Sequence, residues 1–309
     1  MARAGQYFGC VNNFGKALGV WHFDGRVAVR VGVPRASSIE TAHVFLSAGE
    51  NIFDAVGKKL KGLLPDHAPF SFEDMELVPG AYYPRMARIS DQHAGGEHPV
   101  HHCPGHIELK SELAIMRGQL ASLTNKLVEI CRTVHPSAET FHVFGHEIRN
   151  LLILACTEVE VHWRGVLEAN GKSGRFNTNS YVVLQRAMRL GEYGFSLPYY
   201  PWLPIIRPFE GWNTSKPTES LAWYRAYNEV KHDREKSFAS GTLINSVNAV
   251  TACAVMLVAQ FGEAEAFRVG HDLRSFFDVV ERPTWKLSEA YCHPYEGFAK
   301  GHEAVNYPF

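Results

Sequence analysis

WYRAYNEVKHDR, residues 223–234, sets cations, an amide and an imidazole in a helix-compatible run, and residues 237–262 follow it with no charged side chain over 26 positions. At 3.6 residues per turn, Arg225 and His232, seven apart, and Asn228 and His232, four apart, share one helical face, with Lys231 beside them. Such a stripe suits a phosphate. Cleaving a phosphodiester needs charge stabilisation at the non-bridging oxygens and a proton carrier that works near neutral pH, which Arg and His supply. RNA brings its own 2′-hydroxyl nucleophile. The same pattern also fits the solvated end of an ordinary surface helix.

Working outward, the uncharged run is long enough to span a bilayer. Asn245, Ser246, Asn248, Thr251 and Gln260 interrupt it, and Glu263 and Glu265 follow where a basic cluster would anchor a span. It therefore predicts a buried core helix over 243–261 and no membrane association. Upstream, residues 108–134 place Leu113, Met116, Leu120, Leu123, Leu127, Ile130 and Val134 in three-four alternation, a coiled-coil-like seam that packs either within a bundle, the favoured reading, or against a second copy. After His135-Pro136, a second helix is expected over 138–169, with Ser137 as N-cap and Asn170-Gly171 as its stop. It carries Glu158, which could either face the basic stripe and orient it or point to solvent. A third helix is expected over 179–190, and the motif helix over 218–238. Between them, residues 191–217 hold prolines and aromatics that can cover a core or stack bases.

The first hundred residues read differently. Residues 26–33 alternate in period two, and residues 20–23 before Asp24-Gly25 complete a candidate hairpin. Residues 51–64 have apolar residues at helical spacing, with Pro65 as a stop. The expected organisation is a small α+β module over 1–90, a Pro/Gly/His-rich loop over 91–106, a helical bundle over 107–280 and an extended tail over 281–309. The fold class that follows is mostly α.

Composition narrows the function. A chain of 309 residues with 46% hydrophobic and 20% charged residues is that of a folded protein, and a net charge of −1 gives no global pull toward nucleic acid or an anionic membrane. Any RNA contact has to come from a local patch. Six scattered cysteines do not form a disulfide framework. The N-terminus lacks a long apolar core before a cleavage site, which predicts a cytoplasmic protein. His98, His101, His102, Cys103 and His106 are a second candidate for chemistry, since their donors suit zinc, although no Cys-x-x-Cys or helical His-x-x-x-His pair fixes a tetrahedron. Gly165 to Ser173 imitates a phosphate-binding loop with five residues between the glycines instead of four, and follows a helix where a strand is required. Gly-x-Ser-x-Gly and His-Glu-x-x-His are absent.

Roughly residues 138–262 resemble the HEPN superfamily, helical domains of prokaryotic toxins, defence proteins and RNA-processing enzymes that carry Arg, four to six residues, then His. Arg225 and His232 enclose six. Members more commonly have Arg, a polar residue, three residues and His; Asn228 and His232 match that form, with Tyr227 in the Arg position. The stretch also resembles Asn-x-x-Lys-His-x-Arg of an uncharacterised bacterial subgroup. The resemblance implies a HEPN-like helical bundle in which two motif helices meet across a homodimer to cleave RNA without metal or other cofactor. It gives His232 the proton, Arg225 the phosphorane charge and Asn228 the orientation of substrate or imidazole. Lys231, Arg234 and Tyr227 become substrate contacts and Glu158 an orienting acid. Two alternatives remain open at this point: a non-catalytic dimerisation or partner-protein scaffold on the same bundle, and a metal-dependent enzyme built on the His-rich loop.

Overall fold

The structure, a computed structural model, describes residues 3–31, 42–89, 102–233, 236–268, 272–294 and 301–309. Contacts divide it into two units, Met1–Tyr83 with Arg88–Pro104 and Thr284–Val305, and Pro84–Ala87 with Gly105–Pro283 and Asn306–Phe309.

The first unit is built on β-branched and aromatic runs. Strands β1 (Gln6–Val11), β2 (Ala17–Phe23), β3 (Val27–Arg30), β4 (His43–Phe45) and β5 (Ser71–Asp74) form an antiparallel sheet of order β4-β3-β2-β1-β5. The β2–β3 hairpin turns at Asp24, whose carboxylate accepts the N–H groups of Arg26 and Val27 at 2.8 Å each, and Gly25 takes a φ of 106° that a side chain would resist. Helix α1 (Ile52–Leu63), capped by the Asn51 side chain, lays Ile52, Ala55, Val56 and Leu60 on Phe8, Trp21 and Phe23 of the sheet. The opposite face is closed by Leu287, and Gly9 leaves room for it, since a Cβ there would come within 2.7 Å of Leu287 Cδ2. Strands β6 (Ala81–Tyr82) and β9 (Glu303–Ala304) pair in parallel.

β1 and β5 were not anticipated, and the expectation of a mostly α chain is corrected accordingly. The protein is a mixed α+β one, 43% helical with a five-stranded antiparallel sheet. The reason is visible in β1, whose last four residues are all buried, so its sequence lacks the polar alternation that marks a half-exposed strand.

The second unit holds the other helices longer than ten residues among those described: α2 (Lys110–Thr133), α3 (His146–Ala169), α4 (Ala222–His232) and α5 (Leu243–Phe261). α5 is its centre. Of its 19 residues, 16 are buried, so the one described helix apolar enough to cross a membrane lies inside the protein. Three of its side chains meet α3: Ser246 Oγ donates to the Ile148 carbonyl at 2.8 Å, Cys253 Sγ to that of Ala155 at 3.3 Å, and the Gln260 amide meets the His162 ring at 2.8 Å. Each pair is separated by 98 residues, in steps of seven along both helices. α3 and α5 therefore run parallel and in fixed register, with small residues such as Ala155, Ala252 and Ala259 allowing close approach. The seam of α2 packs inward on this pair.

α3 begins at His146, later than the spacing suggests. Residues 138–142 turn instead, and the carbonyls of Val143 and Phe141 accept from the first-turn amides of α5, Leu243 N at 2.8 Å and Ile244 N at 3.1 Å, beside a bridge between Phe144 and Thr242. The expected third helix is two short pieces, Thr178–Tyr181 and Val183–Ala187. Of the aromatics in 191–217, Phe209 and Trp212 close on Trp163, the latter ring stacked at 4.9 Å, while Tyr199 and Trp202 stay about half exposed. Strands β7 (Gly194–Ser196) and β8 (Asp278–Glu281) pair antiparallel at the edge of this unit.

Candidate functional site

α4 has two unlike faces. Trp223, Tyr224, Ala226, Tyr227 and Val230 are buried, and Arg225, Lys231 and His232 are exposed, with Asn228 and Glu229 between them. Tyr224 lies 5.3 Å from the Trp163 ring on α3, and Phe238, just past α4, lies 4.8 Å from the His146 ring, so α4 runs antiparallel to α3. The apolar stripe fixes the helix; the polar stripe is left to water.

Two hydrogen bonds lock the boundary between the faces. Tyr224 Oη donates to Glu160 Oε1 of α3 at 2.6 Å, and burial, followed by the Glu160 carboxylate, pushes the phenol well above its ordinary pKa. Lys231 Nζ donates to Tyr227 Oη at 2.9 Å and stands 4.9 Å from the centre of that ring. The hydrogen bond to Tyr227 raises the Lys231 pKa further, with Glu160 adding to it, so this cation stays charged.

The other predicted residues fall as follows. Arg225 Nε is 3.5 Å from Glu229 Oε1, both side chains being well exposed. Asn228 Nδ2 donates to the Tyr224 carbonyl at 2.9 Å, leaving its amide oxygen without a hydrogen bond among the described residues. His232 ends the helix in solvent, and no hydrogen bond or ion pair joins it to Arg225, two turns or about 10 Å back along the axis. Tyr227 is 2% exposed, so its expected substrate contact is corrected: it is an internal support for Lys231. Arg234 lies outside the described residues.

Glu158 is also corrected. Its carboxyl sits 3.6 Å from His162 Nε2, away from the motif, and burial raises its pKa. The acid that meets the motif helix is Glu160, two residues on, together with Tyr224. The signal was the helix period: Glu160 shares a face with Cys156 and Trp163, against which α4 packs.

Below Glu158 runs a buried polar chain. Arg85 Nε donates to Gln260 Oε1 at 2.7 Å, and Gln260 Nε2 contacts His162 Nδ1 at 2.8 Å. As the Gln amide can only donate there, His162 carries its proton on Nε2. Burial, then the Arg85 charge, lowers the His162 pKa to about 3, so the imidazole is neutral and no proton carrier near pH 7. Gly165 makes room for this chain, since a Cβ would come within 2.0 Å of the Arg85 guanidinium.

In the His-rich stretch, His98 and His101 lie outside the described residues. His102 and Cys103 belong to the first unit and His106 to the second, where it stands 4.0 Å from Glu265. Cys103 Sγ is 3.7 Å from the Tyr83 carbonyl. Among the described residues, no three His, Cys, Asp or Glu side chains converge as a metal would need. No family model, curated protein or solved structure matches this chain.

Proposed function

We propose that the helical unit is a HEPN-like RNA-cleaving module of a bacterial defence or toxin-type system, working as a homodimer in the cytoplasm without metal. The observation that supports it is the division of α4, which seals its aromatic stripe in the core and presents Arg225, Lys231 and His232 together to solvent. Their electrostatics suit RNA. An exposed pair such as Arg225–Glu229 contributes about 0–1 kcal/mol, so a doubly contacted phosphate can take the guanidinium from Glu229. Lys231 is already oriented by Tyr227 and takes a phosphate as a point charge. His232 moves the proton at the 2′-hydroxyl or the leaving oxygen, and the free oxygen of Asn228 accepts from the sugar hydroxyl or from the imidazole. By what HEPN domains imply, each composite site uses Arg225 and His232 from both copies.

A second reading, a non-catalytic dimerisation or partner-binding scaffold, is favoured by Leu154 and Val161. They stand seven residues apart on α3 and are each 48% exposed. The deciding experiment is cleavage of a single-stranded RNA in EDTA by the wild type, His232→Ala and Arg225→Ala. Cleavage that survives EDTA and is lost with His232→Ala supports the nuclease. Undiminished cleavage by His232→Ala, or none by the wild type, removes it and leaves the scaffold.

A further inference from the structure

We infer that the first unit carries a docking groove for an extended peptide of a partner protein, which adds as a strand to the outer edge of β5. This inference is independent of the RNA reading, which concerns the other unit.

β5 is the last strand of its sheet. The register sets Gly9 opposite Glu73 and Val11 opposite Ser71, and Met75 N donates to the Tyr7 carbonyl at 3.2 Å in the same phase. Residues 71, 73 and 75 thus turn their backbone groups toward β1, and residues 72 and 74 turn theirs outward. Further along, the outward side is already in use, for Glu76 N donates to the Ser288 carbonyl at 2.9 Å. At Phe72 and Asp74, no backbone partner occurs on that side among the described residues. A row of unpaired N–H and C=O groups at strand spacing matches another extended backbone and little else.

Beside that edge lies a groove of about 790 Å³ between α1 and the segment leading into β5. Its floor is aromatic. Phe53, Phe70 and Phe72 are each partly exposed, and the Phe53 and Phe72 rings stack at 5.1 Å. The α1 wall has a gap at Gly57, where a Cβ would meet nothing nearer than Phe72 Cζ at 3.9 Å. The rim is balanced, with Glu50 and Asp54 against Lys58 and Lys61 and Glu50 paired with Lys58 at 2.6 Å, which favours a peptide uncharged at its centre. The outward backbone groups and the aromatic floor come from the same residue, Phe72. A peptide bonded there sets every second side chain over the floor, so apolar or aromatic residues in period two are its chemistry.

The probe is a displayed library of random peptides panned against the full chain and against Gly57→Leu. That change places a side chain in the groove at a helix position that Leu suits better than Gly, so the unit stays folded. The expected result is enrichment of alternating apolar peptides that bind Gly57→Leu about tenfold or more weakly and slow hydrogen exchange at the Phe72 amide. Three results would overturn the inference. Selected peptides could bind Gly57→Leu as tightly, or bind without protecting Phe72. A dimer that Gly57→Leu turns into a monomer would make the groove an interface between copies of this chain. Failure of RNA cleavage leaves all of these readouts unchanged.

Discussion

The α3–α5 seam and the outer face of α4 both carry polar side chains on helices, yet they are treated in opposite ways. Along the seam, Ser246, Cys253, Gln260 and His162 are buried, and each has a partner supplied by the facing helix or by Arg85. On α4, Arg225, Lys231 and His232 stand in water, and their internal contacts are weak or local. Polar residues in the first region define the register of the core, because an unmatched buried donor costs far more than an exposed one. Those in the second are free to act on something outside. Chemical type alone does not separate the two: the buried His162 and the exposed His232 look alike in sequence, yet burial and the Arg85 charge lower the pKa of the former to about 3.

The contrast can be broken or sharpened by substitution, and the largest effects belong to the buried side chains of α3 and α5. Trp163→Ala, which empties the space among Trp212, Tyr181 and Tyr224, is expected to cost about 3–5 kcal/mol in urea unfolding. Gln260→Leu keeps the volume but strips partners from both Arg85 Nε and His162 Nδ1, and an expected loss of about 2–4 kcal/mol would show in the same midpoint. Acid acts on the same group. His162 has its folded pKa depressed to about 3, so the unfolded chain takes up the proton first, and the contribution of this residue falls as pH drops from roughly 6.5 toward 3. Stability measured across that interval should fall by a few kcal/mol on this account, and His162→Gln should flatten the profile. Glu158, with its pKa raised by burial, works in the opposite sense and softens the decline.

At the boundary between the regions, Tyr224→Phe removes the hydrogen bond to Glu160, and about 1–2 kcal/mol is expected from thermal or urea unfolding. On the outer face, Arg225→Ala and His232→Ala should each change stability by less than about 0.5 kcal/mol. If the nuclease reading holds, His232→Ala loses at least about a hundredfold in cleavage rate despite that small effect. A large stability loss from either exposed residue would erase the distinction between the two regions.

How much of this could be read beforehand follows the same division. The apolar helix was legible to the residue, at 243–261, because the polar side chains inside a charge-free run and the acids after it favour a protein core over a bilayer. α1 was legible from the helical spacing of apolar residues over 51–64 and from Pro65 as its stop. α3 began late because residues 141–144 pair with 242–244, a contact across a hundred residues that local spacing does not encode. β5, QYFGCV's partner, escaped for a similar reason: its four residues become a strand only because β1 lies beside them. At the site, the stripe of Arg225, Asn228 and His232 was plain in the spacing, as was its shared face. The burial of Tyr227 and the role of Glu160 depended on which side of α4 meets α3, which a single helix does not reveal.

The constant offset of 98 residues between α3 and α5 has a consequence for the order of assembly. Non-local contacts reward the chain only after a long loop has closed, which slows folding. During synthesis, α3 waits without its principal neighbour until residues 243–261 have emerged, and α4 is made within that interval. The helix with the candidate chemistry is therefore made after α3, on which it packs, but before α5 completes that scaffold, and a ribosome that stalls inside this stretch leaves the exposed cations on an unfinished support.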